Sequence, residues 1–107
     1  MMKYASVRNM VSPRSGRPVA NQFIIHSNNA VIFQSYNSVI AIVDYDAQGA
    51  AALTIGRDWD YSTTTAKYLY EFLNEYAKHI FGDLGANRKR VKIAIENKDI
   101  AYDDNLR

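Results

Sequence analysis

The sequence predicts an α+β domain: an antiparallel β-meander of four to five strands over about residues 3–56, one long helix over about 62–81, and a short C-terminal helix over about 88–97. Three observations carry this expectation. Apolar residues alternate with polar ones, or run in β-branched blocks, as far as Ile55. Turn-forming residues interrupt those runs at short intervals. After Trp59 the apolar spacing lengthens from two to three and four, the period of a helix. Strands gathered in one half and helices in the other give an α+β arrangement rather than an alternating one. At 107 residues and 48% hydrophobic the chain makes a single domain, 1–107, with enough apolar surface for one core.

The first strand is read from Tyr4 to Val11, where alternation is imperfect. Ser12-Pro13-Arg14-Ser15-Gly16-Arg17-Pro18 ends it, because two prolines fix φ twice and remove two backbone donors. Gln22 to His26 and Val31 to Tyr36 form a hairpin around Ser27-Asn28-Asn29, with Phe23 and Ile25 on one side of the first strand and Val31 and Phe33 inward on the second. Val39 to Val43 is a continuous β-branched run, and Gln48-Gly49 turns it towards Ala52 to Ile55. From Ser62 to Phe81 the apolar residues Leu69, Phe72, Leu73, Tyr76 and Ile80 share one helical face, of which Leu69, Phe72 and Tyr76 should be buried. Asp60, Ser62 and Thr63 supply N-cap oxygens, and Gly82 ends the helix in a left-handed conformation. Val91, Ile93 and Ile95 alternate as an edge strand would, yet Leu84, Val91, Ala94, Ile95 and Lys98 also fit a short helix capped by Asn87, and the helix is preferred.

Charge is unevenly placed. Residues 1–43 carry Lys3, Arg8, Arg14 and Arg17 and no acid, the stretch from Asp44 to Asp60 is acidic, and Arg88-Lys89-Arg90-Val91-Lys92 is a second basic cluster before Asp103 and Asp104. Such asymmetry suits a polyanion-binding face and equally a solvated mixed surface. No apolar run approaches the roughly 20 residues that span a bilayer, and Met1 to Ser12 lacks an apolar leader, so no membrane contact and a cytoplasmic location are expected. With no cysteine there are no disulfides, thiolate metal sites or cysteine nucleophiles.

The residues offer no constellation for catalysis. Ser15-Gly16 sits in a proline-bracketed loop with no helix after it, unlike a hydrolase elbow, and His26 and His79 fall at a strand end and on a helix flank. Asp44 with Asp46 and Asp58 with Asp60 have the spacing of hard-metal ligands but lack the further oxygens and the glycine of a calcium loop, so turn and capping roles account for them. Isolated Gly16 and Gly49 make no phosphate cradle. The expectation is therefore a protein that is not an enzyme and needs no cofactor and no metal.

Two segments carry more polarity and aromaticity than a bland domain requires: Gln34-Ser35-Tyr36-Asn37-Ser38, and Trp59-Asp60-Tyr61-Ser62 with Thr63 to Thr65. A turn and a capping cluster would explain them; so would a recognition surface with rigid aromatic anchors. Subtracting what packing explains leaves Arg14, Arg17, Gln34, Tyr36, Arg88, Lys89 and Arg90 as the expected binding residues.

The strings Asn9 to Phe23 (with Ser12-Pro13-Arg14-Ser15-Gly16-Arg17-Pro18-Val19-Ala20-Asn21-Gln22-Phe23), Phe33 to Ser38 and Trp59-Asp60-Tyr61-Ser62 with Thr64 to Tyr68 and Phe72-Leu73 resemble a group of short proteins from bacteriophages and other mobile elements of gut bacteria. The resemblance covers roughly residues 4–75 and implies a charged helix towards the C-terminus. It implies no activity and no site residue. Such an origin does imply an interaction protein that blocks or modulates a host defence or nucleic-acid-processing complex, with a host protein or ribonucleoprotein complex as partner; the alternative is a direct nucleic-acid-binding accessory protein. An exposed last strand would also pair with its twin, making a homodimer a further expectation.

Overall fold

A computed structural model describes residues 6–107. Five strands run in order: β1 Ser6–Val11, β2 Pro18–His26, β3 Ala30–Ser35, β4 Ser38–Tyr45 and β5 Ala51–Gly56. They form the antiparallel meander expected from the alternating sequence, each strand paired with the next. Tyr4 and Ala5 of the expected first strand lie outside the described residues. Helices α1 Thr63–Tyr76, α2 Lys78–Phe81 and α3 Arg88–Glu96 follow, and a final strand, β6 Ala101–Asp103, joins the sheet beside β5.

The turns follow the sequence chemistry. Between β4 and β5 the Asp46 carboxylate accepts from the backbone N–H of Gln48 and of Ala50, both at 2.9 Å, while Gly49 takes φ +85. This is the local side-chain bonding that makes Asp a turn residue. Between β2 and β3, Ser27 N–H donates to the Ala30 carbonyl at 2.9 Å. Gly56 closes β5 because backbone crowds it: a Cβ there would stand 2.7 Å from the Leu106 carbonyl oxygen.

Three expectations need correction. First, the long helix stops at Tyr76: Ala77, with φ −124 and ψ 31, breaks it, and the short α2 follows as a separate helix. The break turns Phe81 into the core at 3% exposure and leaves Ile80 only partly buried. Second, Tyr76 is half-buried; its hydroxyl accepts from Arg8 at 3.0 Å and its ring meets His26 edge-on at 5.9 Å. Third, the sheet has six strands, and β6 pairs with β5 in parallel, Ile55 opposite Tyr102. Parallel pairing needs a crossover, which the three helices provide. The helix preferred over residues 88–97 is present, with Asn87 accepting from Arg90 N–H at 2.9 Å. Among the described residues no helix is long and apolar enough to cross a membrane.

All helices pack on one face of the sheet. Ile24, Phe33, Val43, Leu53 and Ile55 point to that side and form one cluster with Leu69, Phe72, Leu73, Phe81, Val91 and Ala94. Phe33 and Phe72 stack at 5.8 Å in its middle. The other face is not part of that cluster. Across it runs a single row of register partners, Val7, Ile25, Ile32, Ile42, Thr54 and Ala101, touching all six strands.

Candidate functional site

One end of the sheet collects most of the residues that packing does not need. There β1 hands over to β2, β3 turns into β4, and β5 leads towards α1. The β1–β2 loop is braced internally: Ser12 N–H donates to the Arg17 carbonyl and Gly16 N–H to the Ser12 carbonyl, both at 2.9 Å. Ser12 Oγ accepts from Arg14 N–H at 3.2 Å, and Ser15 Oγ accepts from Arg17 N–H at 3.3 Å. Gly16 takes φ +71, a value that suits glycine. The loop therefore holds Arg14 and Arg17 out into solvent on a defined backbone.

Beside it, two non-glycine residues adopt left-handed backbone: Asn21 at φ +65 and Tyr36 at φ +54. They are tied together, since Tyr36 N–H donates to the Asn21 carbonyl at 2.7 Å. Pairing of β1 with β2 slips between Asn9 and Val11, so residues 19–22 stand opposite Met10 alone and Asn21 reaches the β3–β4 turn. Gln34 Nε2 adds a bond to the Tyr36 carbonyl at 2.8 Å. An L-residue with a large side chain held at positive φ is strained, and such strain concentrates where function requires a side chain in a set place. The result is that Tyr36 projects at 57% exposure. The bulge also buries Gln22 to 1% exposure with neither side-chain Oε1 nor Nε2 partnered among the described residues.

Facing Tyr36 across a cleft of about 630 Å³ is Tyr61, 81% exposed, with Asn37, Asp58, Ser62 and Thr64 along the walls. The position of Tyr61 is set by the start of α1. Ser62 is the N-cap: its Oγ accepts from Thr65 N–H at 3.1 Å and donates to Thr65 Oγ1 at 3.1 Å. Thr65 Oγ1 also bonds Ser35 Oγ at 3.0 Å, with both residues 3% exposed. This chain of hydroxyls pins the helix start to the end of β3, next to Tyr36. The two exposed tyrosines are thus held from opposite sides of one hydrogen-bonded joint.

A second cleft, about 690 Å³, continues past Tyr61 and is lined by Asp60, Lys67, Tyr70 and Arg88. Arg88 Nε donates to Asp60 Oδ2 at 2.8 Å, which fixes the guanidinium at the rim. Burial pushes the Tyr70 phenol above its ordinary value, the Asp60 carboxylate adds to that, and Arg88 opposes it.

Of the seven residues expected from the sequence, Gln34 and Tyr36 are bonded together at the β3–β4 turn, Arg88 lines the neighbouring cleft beside Asp60, Arg14 and Arg17 stand exposed on the β1–β2 loop at the same end of the sheet, and Lys89 is exposed next to Arg88. Arg90 points elsewhere: its Nη1 donates to the Phe81 carbonyl at 2.7 Å and to the Gly85 carbonyl, and its guanidinium lies 6.0 Å from the Phe81 ring centre. It ties α3 to the end of α2. Tyr61, Ser35 and Thr65 were not among the expected binding residues. The crowding of aromatics and hydroxyls between Trp59 and Thr65 was the visible signal, but only the fold shows that Tyr61 faces Tyr36. Among the described residues no group of three or more His, Asp or Glu side chains is placed to hold a metal ion.

The model of the family described as "Family of unknown function (DUF8033)" matches residues 5–91, which include the braced loop, both exposed tyrosines and Arg88. No curated protein and no solved structure matches the chain.

Proposed function

We propose that this chain, which belongs to the DUF8033 family of unknown function, is a non-catalytic protein-binding domain that grips its partner through Tyr36 and Tyr61. The observation that carries this reading is the strained, solvent-facing Tyr36 braced opposite an exposed Tyr61 over one cleft. Rigid aromatic side chains on a pre-set backbone lose little entropy on binding and are the commonest energetic anchors of protein interfaces. The Asp60-held Arg88 at the cleft, with exposed Lys89 next to it and exposed Arg14 and Arg17 on the β1–β2 loop, supplies positive charge that steers encounter. Asp58 and Asp60 at the same clefts oppose a nucleic-acid backbone and favour a protein surface.

The resemblance to proteins of phages and mobile elements extends the proposal: the partner is a bacterial host protein or ribonucleoprotein complex of defence or nucleic-acid processing, which the domain inhibits or modulates in the cytoplasm. The test is capture of partners from host lysate, with and without nuclease, by the unaltered chain and by Tyr36→Gly and Tyr61→Ala. A protein retained after nuclease treatment, and lost with either variant, supports the reading. Binding to bare DNA or RNA at micromolar affinity in about 150 mM salt, falling steeply as salt rises, would replace it with direct nucleic-acid binding.

A further inference from the structure

We propose that the helix-free face of the sheet is the interface of a homodimer, two copies of this chain packed face to face. An antiparallel sheet with one solvated face ordinarily alternates apolar inward with polar outward. Here the outward positions break that rule. The row Val7, Ile25, Ile32, Ile42, Thr54 and Ala101 is aliphatic over its first four strands, and every neighbour in it is a register partner. Beside it Phe23 stands between Asn9 and Gln34, with Val39 beyond. Ile25, Ile32 and Ile42 are only partly buried although each sits within the sheet, because nothing but their neighbours shields them.

Size and charge identify the occupant. Six strands about 4.8 Å apart and about 20 Å long present roughly 600 Å² in projection, more once side chains corrugate it, close to the ~800 Å² per partner of a standard interface. Neither row holds a lysine or arginine, and the charged residues at outward positions are the carboxylates Asp44 and Asp103. A polyanion or an anionic membrane would find no counter-charge there, whereas a second apolar sheet needs none.

The face is also complementary to itself. A twofold axis along the strands lays the β1 side of one copy over the β6 side of the other. The bulky Val7, Phe23 and Ile25 then meet the small Thr54 and Ala101, as interdigitating layers require. The same rotation brings Arg14 and Arg17, beyond the end of β1, over Asp103 and Asp104 at the matching end of β6. Opposite charges meet twice, once at each side of an isologous contact.

Sedimentation equilibrium of the full chain tests this. The expected result is a dimer whose dissociation constant rises at least about thirtyfold in Ile42→Lys, as for loss of a central anchor. Thr54→Lys, at a position already polar, should act in the same direction without risk to the fold, and circular dichroism and Trp59 emission should match the parent in both. Arg14→Asp/Arg17→Asp and Asp103→Lys/Asp104→Lys should each dimerise weakly alone and form a tighter mixed dimer together. A monomer at about 0.1 mM, well above the dissociation constant expected of an interface this size, would overturn the proposal. So would a dimer indifferent to both lysine variants, including one formed through strand edges. Tyr61 lies outside this face, so Tyr61→Ala should weaken partner capture and leave dimerisation unchanged, whereas Ile42→Lys and Thr54→Lys should do the reverse.

Discussion

Replacing Tyr36 with glycine should make the domain more stable and less able to bind. A non-glycine residue in left-handed backbone carries a penalty of about 1–2 kcal/mol from its Cβ. Tyr36 sits there at φ +54 and is 57% exposed, so its ring contributes little burial to offset that cost. Both hydrogen bonds that shape the turn, to the Asn21 carbonyl and from Gln34 Nε2, use the Tyr36 backbone and survive the change. Glycine adds about 0.5–1 kcal/mol of unfolded-chain entropy, which leaves a net gain of roughly 0.5–1 kcal/mol. For a domain of this size that is an increase in Tm of about 2–6 °C. Urea and thermal melts followed through Trp59, the single tryptophan, read it directly. Tyr36→Ala keeps the Cβ and should not gain. Partner affinity should fall about thirtyfold or more in both variants, as for an interface anchor. A loss of more than about 1 kcal/mol in Tyr36→Gly would refute the strain argument. Unchanged partner binding would refute the functional one.

Phe72→Ala, at a fully buried position stacked on Phe33, should cost about 3–5 kcal/mol in denaturant melts, and a cost under about 1 kcal/mol would mean the helix buries a different face. Thr65→Val removes the buried hydroxyl shared by Ser35 and Ser62 and should cost about 1–3 kcal/mol, with faster hydrogen exchange in the first turn of α1. Gln22→Met takes away two unpartnered buried polar atoms and should stabilise by about 1–3 kcal/mol; a destabilised variant would show that the amide does have partners in solution. The phenols of Tyr70 and Tyr76 are both pushed up, chiefly by burial, from an ordinary value of 10.0. Below that value both folded and unfolded forms are protonated and stability is flat; above it the unfolded chain releases its protons first, so stability should fall as pH rises through the raised folded values. Tyr70→Phe should remove part of that alkaline loss, and a Tyr70→Phe melt with unchanged alkaline dependence would contradict the assignment.

Local chemistry decided the sheet and the helix starts. Alternation around Phe33, the β-branched run to Val43 and the turn residues Asp46 and Gly49 specify strands whose partners are sequence neighbours, and a meander asks for nothing else. Ser62 and Asn87 cap helices because each offers an oxygen within three residues of an orphan amide, a relation contained in the chain itself. The braced loop from Ser12 to Arg17 and the unusual polarity around Tyr36 were legible for the same reason. Tertiary structure decided what depends on lengths and distant partners. The helix breaks at Ala77 although the apolar spacing runs on through Ile80, so no periodicity encodes the break. β6 is three residues, too few to show a pattern, and exists because the helices return the chain alongside β5. Arg90 sits in a basic run like Arg88, yet one bonds backbone carbonyls within the helical layer and the other pairs with Asp60 at the cleft, because Phe81 and Asp60 reach them only after folding. Which face of the sheet the helices cover, and hence that Ile25, Ile32 and Ile42 are left outward, depends on the crossover after Gly56; two faces that are both apolar in sequence are told apart only by what packs on them.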